Sequence, residues 1–219
     1  MNLLEVRDIS FSYRDQKNLL SHLSFEADAG EIVAINGSSG IGKTTLLKII
    51  CQVIPTIFHG DLTGNVFING KNIRNFSLPQ LAPQISLLMQ EPENQIFLPI
   101  VEQELAFGAE NLCVPADEIK AKISNTLKLL QIEKIRYHDT ATLSYGQKKL
   151  VAFASLIILS PQIFLLDEIS AGLSKKHLEI VINVIKQLAA DGKLIIIADH
   201  LDDILKLADK TINLDQHNV

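Results

Sequence analysis

The sequence predicts an α/β fold with a mainly parallel sheet core, an N-terminal antiparallel β part and an inserted helical segment. Between residues 162 and 215, apolar strand-like stretches alternate with helix-like segments, which is typical of a parallel sheet covered on both faces. Residues 3–27 instead alternate apolar and polar side chains with a period of two, which indicates antiparallel strands. Between 93 and 159, apolar residues recur at three and four positions, the spacing of helices.

These patterns predict a single domain over residues 1–219. Its core would comprise about 1–92 and 160–219, and its helical subdomain about 93–159, where we expect two helices at 116–132 and 146–159. A further short helix is expected at 201–209. The 219 residues, of which 47% are hydrophobic, suffice for a substantial buried core.

Composition excludes several classes of function. The net charge of -5 and the isoelectric point near 5.7 give no basic stripe for a nucleic-acid backbone, so nucleic acid is not expected as a partner. The first residues do not resemble a secretory leader. The longest apolar runs, 150–159 and 194–198, are far shorter than the roughly 20 residues that span a bilayer. We therefore expect a protein that stays in the cytosol.

A glycine-rich loop follows the buried strand-like stretch 31–36. It reads GSSGIGKT and fits the phosphate-loop pattern GxxxxGK[ST] at every specified position, with a helix-like segment directly after it. Its glycines let the backbone approach phosphates closely, and its N–H groups can face the anion. Lys43 is expected to reach the β- and γ-phosphates, and the Thr44 hydroxyl to ligate Mg²⁺. The predicted phosphate site comprises Gly37, Ser38, Ser39, Gly40, Ile41, Gly42, Lys43, Thr44 and Thr45.

The apolar stretch 163–168 ends in two acids, Asp167 and Glu168. In open α/β sheets, ligands bind at the carboxyl ends of the strands. Asp167 suits the Mg²⁺ shell, and Glu168 suits the polarisation of an attacking water. Such a stretch by itself more often starts a solvated loop, but the phosphate loop upstream favours the functional interpretation.

The stretch LSYGQ at 143–147 completes a set of motifs. A phosphate loop, then LSxGQ, then a strand ending in Asp-Glu resembles the nucleotide-binding subunit of ATP-binding-cassette (ABC) transporters, over essentially the whole chain. The resemblance implies the P-loop NTPase fold of ABC ATPases, ATP and Mg²⁺ as cofactors, and a second ATPase subunit in a homodimer or heterodimer. It also implies that Ser144, Gly146 and Gln147 contact the γ-phosphate of ATP held by that second subunit. Without such a partner, the stretch is a serine-capped helix start.

The same resemblance assigns roles to further residues. Tyr13 would stack on adenine, Gln90 would touch Mg²⁺ and the water, and His200 would sense the γ-phosphate. As isolated residues they would instead be a packed tyrosine, an exposed glutamine and a structural histidine. Two positions depart from the family pattern, since Tyr145 stands where glycine is common and Ser174 where aspartate is common. The predicted catalytic set is Lys43, Gln90, Glu168 and His200, and the predicted metal ligands are Thr44, Gln90 and Asp167.

Residues 91–111 resemble one branch of the family. Segments 91–97 and 106–111 are similar to the ATPases of energy-coupling factor (ECF) transporters, which energise uptake of vitamins or of nickel and cobalt ions. This implies a transmembrane scaffold subunit, a substrate-binding membrane subunit and a peripheral location on the cytoplasmic face of the membrane. We expect Ile96, Phe97 and Leu98 to be exposed and to receive a coupling helix of the membrane partner. The alternative is a loop packed on its own subdomain.

Two other functions compete with this interpretation. The first is the ATPase of a conventional ABC importer or exporter, which the segment after Gln90 disfavours. The second is a soluble ABC protein that acts on ribosomes or DNA, which the acidic balance and the lack of a visible coiled coil disfavour. In the resembled family a separate membrane subunit selects the transported substrate, so this sequence predicts no particular one.

Overall fold

The structure, a computed structural model, describes residues 2–14 and 16–216. Its first sheet is antiparallel, in the order β2-β1-β4-β5, and consists of β1 (Leu4–Tyr13), β2 (Gln16–Ala27), β4 (Asp61–Ile68) and β5 (Lys71–Asn72). The second is parallel, in the order β6-β7-β8-β3-β9, and consists of β3 (Ile32–Asn36), β6 (Ile85–Leu88), β7 (Ile163–Asp167), β8 (Leu194–Ala198) and β9 (Lys210–Asn213). The predicted combination of a parallel core and an antiparallel part is confirmed.

The helices cover the parallel sheet and fill the segment inserted between β6 and β7. The longer ones are α1 (Lys43–Ile50), α4 (Val101–Asn111), α5 (Ala116–Leu129), α6 (Tyr145–Leu159) and α7 (Lys175–Ala190). The shorter ones are α2 (Val53–Thr56), α3 (Leu78–Leu81) and α8 (Asp202–Leu205). Single 3-10 turns lie at Ile73–Asn75, Pro92–Asn94, Glu133–Ile135, Thr140–Thr142 and Leu214–Gln216. Within residues 2–14 and 16–216, no helix combines the length and apolar character needed to cross a membrane.

Two predictions about helices were wrong. Residues 93–159, all of them described, contain three helices rather than two, because Val101, Leu105 and Ala109 form a buried stripe along α4. The helix expected at 201–209 ends at Leu205. The chain leaves the helix after Leu205 because Asp209 is bound to Ile32: its N–H donates to the Ile32 carbonyl, and its carboxylate accepts the Ile32 N–H. These two bonds place the start of β9 beside β3.

The hydrophobic core has two clusters, one on each face of the parallel sheet. Alternate residues of a strand point to opposite faces, so Leu165 of β7 and Ile196 of β8 join the cluster shared with the antiparallel sheet and α1. Phe164 and Ile195 join the other cluster, which includes apolar residues of α4, α5, α6 and α7. The proposed division at residues 92 and 160 stays a prediction, since the inserted helices share their core with the sheet.

Sheet order decides where polar side chains meet. Strands β7, β8 and β3 are parallel neighbours, so their carboxyl ends lie at one edge. The loop after β3, the two acids after β7 and His200 after β8 therefore come together there, although they are far apart in the chain.

Candidate functional site

The loop between β3 and α1 depends on glycine. Gly37, Gly40 and Gly42 have φ angles of 148°, 78° and 111°, in the region that disfavours other residues. A Cβ on Gly42 would also lie 3.1 Å from the side chain of Leu20 in β2. The loop curls around Lys43, whose Nζ donates to the carbonyls of Gly37 at 2.6 Å and of Ser38 at 3.0 Å. Loop and lysine thus form one preorganised unit at the start of α1.

This loop forms one wall of a cleft of about 220 Å³. The cleft joins all of the predicted catalytic and metal-binding residues with part of the glycine-rich loop. Its lining comprises Ser39, Gly40, Gly42, Lys43, Thr44, Gln90, Asp167, Glu168 and His200.

Asp167 and Thr44 both line the cleft. Burial raises the pKa of Asp167, and its interaction with the Thr44 side chain opposes part of that rise. Burial also lowers the pKa of Lys43, opposed by Glu168, Asp215 and Asp167. Hydroxyl, carboxylate and amide oxygens are ligands that Mg²⁺ prefers, and a cation here would offset the desolvation of Asp167. The set Thr44, Gln90 and Asp167 fits that ion.

Glu168 lines the cleft and contacts two of its other residues. Its Oε2 accepts a hydrogen bond of 2.9 Å from Gln90 Nε2, and its Oε1 lies 3.6 Å from His200 Nε2. Its backbone has a φ of 48°, unusual for a residue with a side chain, and its N–H donates to the carbonyl of Ala198 at 2.7 Å. This backbone geometry is held by β8, and residues in such conformations cluster at functional sites.

Asp199 lies at the same edge of the sheet and binds the loops after β7 and β8. It was not among the site residues predicted from the sequence. Its buried carboxylate accepts from the Ser170 hydroxyl at 2.7 Å, from the Ser170 N–H at 3.0 Å and from the N–H groups of His200 and Leu201. It thereby fixes the loop after β7 relative to His200. The available signal was a third acid directly after a buried strand.

The residues of the LSYGQ stretch do not line this cleft. Ser144 and Gln147 cap each other at the start of α6, with Gln147 N–H donating to Ser144 Oγ at 3.3 Å and Ser144 N–H to Gln147 Oε1 at 2.9 Å. Gly146 packs so tightly that a Cβ would lie 2.4 Å from the Gly172 carbonyl. Ser174, the departure from the common aspartate, accepts the N–H of His177 at 3.3 Å and caps α7.

Comparison with known families decides the identity. The family model described as ABC transporter matches residues 20–171, more than half of the chain. The chain belongs to the ABC transporter family. Its fold is that of the ABC ATPases, and the resemblance to the ATP-binding subunit of an ABC transporter is confirmed at this level.

Several relatives match the whole chain. A "Putative ABC transporter ATP-binding protein" of Methanosarcina mazei is 34% identical over 220 residues, which are 99% of this chain and 37% of the relative. A protein of the same name in Treponema denticola is 33% identical over 99% of this chain and 45% of its own length. One in Pyrococcus horikoshii is 34% identical over 100% of this chain and 78% of its own length. This chain thus spans less than half of the first two relatives.

Solved ABC structures are similar to this one throughout. CbiO1 of Clostridium perfringens, described as part of the ABC transporter complex CbiONQ, is 30% identical, with a TM-score of 0.82 over 97% of this chain and 84% of CbiO1. An ATP-binding subunit of an ABC transporter is 25% identical, with a TM-score of 0.85 over 99% of this chain and 86% of that chain.

Tyr13 of this ABC subunit lies beside the glycine-rich loop but outside the cleft-lining set. Its hydroxyl is 3.3 Å from Thr45 Oγ1 in the first turn of α1, and its ring packs edge-on against Phe11 with centroids 4.7 Å apart. The Tyr13 ring is therefore anchored next to the first turn of α1.

The expectation of three exposed apolar residues at 96–98 was wrong for two of them. Phe97 is 71% exposed, but Ile96 packs on the helical core and Leu98 is half-buried. The reason is Glu104 in the first turn of α4, whose buried carboxylate accepts the N–H groups of Phe97 at 2.9 Å and Leu98 at 2.8 Å. These bonds draw the segment against α4.

Proposed function

We propose that this chain hydrolyses ATP and thereby powers import of a micronutrient, a vitamin or a transition-metal ion, through an ECF-type ABC transporter. The observation that carries the ATPase part is the cleft in which Lys43, Glu168 and His200 meet. An ammonium, a carboxylate and an imidazole in one cleft suit phosphoryl transfer, which depends on positioning and electrostatic stabilisation.

ATP binding would use the preorganised loop. The N–H groups of residues 37–45 would face the phosphates at the start of α1, and Tyr13 would stack on adenine. Lys43 would exchange its bonds to the carbonyls of Gly37 and Ser38 for bonds to phosphate oxygens. Both sets of bonds use the charged ammonium, but phosphate oxygens are anionic and carbonyl oxygens are neutral, so the exchange adds the attraction of opposite charges.

Hydrolysis would depend on Glu168. Its carboxylate would accept a proton from the attacking water, and Gln90, which donates to that carboxylate, would orient it. His200, whose Nε2 lies 3.6 Å from Glu168 Oε1, would contact the γ-phosphate. Thr44, Gln90 and Asp167 would hold Mg²⁺, which supplies charge neutralisation at the phosphates.

A second ATPase subunit completes the proposed site. Ser144, Gly146 and Gln147 lie outside the cleft of their own chain, so they are available for the nucleotide of a partner in a homodimer or heterodimer. ATP between two subunits would favour a closed dimer, and hydrolysis would reopen it, because the ligand binds one state better than the other.

A membrane partner would dock on the helical segment. A groove of about 570 Å³ is lined by residues of α4 and α5, and an amphipathic helix could lay its apolar face into it. Exposed Phe97 and Phe107 belong to the same segment as the groove. The groove is lined by Leu98, Glu102, Gln103, Ala106, Glu110, Ala116, Ile119, Lys120 and Ile123. The chain would then be peripheral, on the cytoplasmic face of the membrane, bound to a transmembrane scaffold that works with a substrate-binding membrane subunit.

The ECF assignment has two supports. One is the segment 91–111, and the other is the 30% identity to CbiO1, described as part of the CbiONQ complex. The experiment that tests it is purification of the tagged chain from solubilised membranes of its source, with identification of the bound proteins. A scaffold protein together with a small membrane protein is the expected result. Two conventional permease subunits would favour the conventional ABC transporter, and soluble partners alone would overturn the transport assignment.

A further inference from the structure

Two side chains of α6 bind one backbone carbonyl at the edge of the cleft. The Tyr145 hydroxyl donates to the carbonyl of Gln90 at 3.0 Å. Lys149, one turn further along, donates from Nζ to the same carbonyl and to that of Met89 at 3.2 Å. The Lys149 side chain is fully buried, and its Nζ lies 5.7 Å from the centroid of the Tyr145 ring. Side chains of α6 therefore fix the backbone of Met89 and Gln90, the two residues that follow β6.

The ring of Tyr145 is itself locked in place. A Cβ added to Gly172 would lie 2.4 Å from Tyr145 Cδ1, so the ring lies directly on the loop 170–174. A tyrosine hydroxyl carries its proton at physiological pH and can therefore donate to the Gln90 carbonyl. The side chain that departs from the family's common glycine thus points into its own chain.

The residue held by Tyr145 is the one that orients Glu168. The carbonyl of Gln90 accepts from Tyr145, and the side-chain amide of Gln90 donates to Glu168 at 2.9 Å. A displacement of α6 therefore moves the Gln90 backbone, and with it the amide on the carboxylate. Without the Tyr145 hydroxyl, Lys149 would be the remaining side chain of α6 on the Gln90 carbonyl. Because Lys149 also donates to the Met89 carbonyl, the orientation of the Gln90 peptide would then be less restricted than with both donors.

We infer that Tyr145 is a positioning residue for hydrolysis in its own chain, which acts through the backbone of Gln90 and makes the orientation of Glu168 depend on the position of α6. This inference rests on the proposed ATPase function and names an internal contact that regulates the same site. Because α6 begins at the LSYGQ stretch, the contact also links the surface offered to a partner's nucleotide with the chain's own cleft.

The test is Tyr145→Phe, which keeps the ring on Gly172 and removes only the hydroxyl. In the complex purified through a tag on this chain, kcat for ATP should fall about three- to tenfold, the size expected for one hydrogen bond, with KM unchanged. Tyr137→Phe is the matched control, since Tyr137 is 69% exposed, and it should behave as the wild type. A wild-type kcat in Tyr145→Phe would overturn the inference.

Two further measurements separate positioning from general weakening. In a Gln90→Ala background, Tyr145→Phe should have no further effect on kcat, because the side chain through which it acts is gone. An equal loss in both backgrounds would refute the route through Gln90. Hydrogen exchange of the amides at 89–95 in the nucleotide-free chain should rise in Tyr145→Phe and not in Tyr137→Phe, and unchanged exchange would count against the inference. A wild-type complex that does not hydrolyse ATP would instead overturn the proposed function itself.

Discussion

Gln90 Nε2 donates a hydrogen bond of 2.9 Å to Glu168 Oε2. The two residues follow β6 and β7, which are parallel neighbours, so the bond joins two strand ends at one edge of the sheet. It holds the carboxylate in one orientation before any nucleotide arrives. Preorganised groups need no rearrangement at the moment of reaction, which is why such a contact favours turnover.

Glu168→Gln should retain ATP binding and nearly abolish hydrolysis. The amide keeps the size of the side chain but cannot accept a proton, so the rate should fall by a factor on the order of 10² or more. Phosphate release under saturating ATP measures turnover, and a fluorescent ATP analogue measures binding. Near-normal hydrolysis by this variant would rule out the proposed role of the carboxylate.

Lys43→Ala should weaken nucleotide binding itself. The variant removes the ammonium that the loop surrounds and leaves the carbonyls of Gly37 and Ser38 without their donor. A loss of affinity for ATP of at least tenfold is expected, since bonds to charged groups are worth about 1.5–3 kcal/mol. Lys193→Ala, at the opposite end of the parallel strands, serves as a control that should bind normally. Equal affinity in both variants would contradict the assignment.

Asp167→Asn should stabilise the nucleotide-free chain near neutral pH while reducing hydrolysis. Burial raises the pKa of Asp167 above its usual 3.8, so the folded state disfavours the ionised form. Stability is therefore lost as pH rises from 3.8 through the raised pKa, and asparagine avoids that loss. Thermal unfolding should show a higher Tm for the variant near pH 7, with the gain shrinking towards about pH 4. Exposed Asp203→Asn is the control, and a lower Tm for Asp167→Asn near neutral pH would contradict the argument.

Tyr13→Ala should lower the affinity for ATP about tenfold, because stacking of a base on an aromatic ring is worth roughly 1–3 kcal/mol. Tyr13→Phe keeps the ring and loses the contact with Thr45 Oγ1, so its affinity should stay close to that of the wild type. Titration with ATP compares the three proteins. If the two variants lose affinity equally, the hydroxyl and not the ring is responsible.

Phe97→Ser should reduce recovery of the proposed membrane partner with the tagged chain and leave Tm almost unchanged. The side chain is 71% exposed, so its removal takes little from the core but much from a docking surface. Ile57→Ser is the matched control, because Ile57 is 57% exposed and follows α2 in another part of the chain. Undiminished recovery with Phe97→Ser would remove this residue from the proposed interface.

The parts of the fold that sequence could predict are those with a local signal. The glycine-rich loop, the apolar stretch before Asp167 and the capped start of α6 each carry their pattern within a few residues. Helix α4 was missed because Ile100, its N-cap, offers no side-chain cap and Gly108 interrupts its interior. The end of α8 was misplaced because bonds between Asp209 and Ile32, distant in the chain, decide it.

The contacts around the cleft could not be predicted from the sequence either, because they join residues that are distant in the chain. Adjacent Lys148 and Lys149 look alike in the sequence, yet Lys148 pairs with exposed Glu93 and Lys149 is buried against the carbonyls of Met89 and Gln90. Asp199 was overlooked because its partners come from two different loops. A single sequence can predict which side chains belong to a site, but it does not predict which backbone groups those side chains bind.

The left-handed backbone conformation of Glu168 means that selection for stability and selection for activity favour different residues at this position. A residue with a Cβ is disfavoured at a φ of 48° by about 1–2 kcal/mol relative to glycine. A library at this position screened only for resistance to heat should therefore enrich glycine and asparagine. A library screened also for ATP hydrolysis should return glutamate, and the difference in stability between the two sets of variants would measure the cost of keeping this acid.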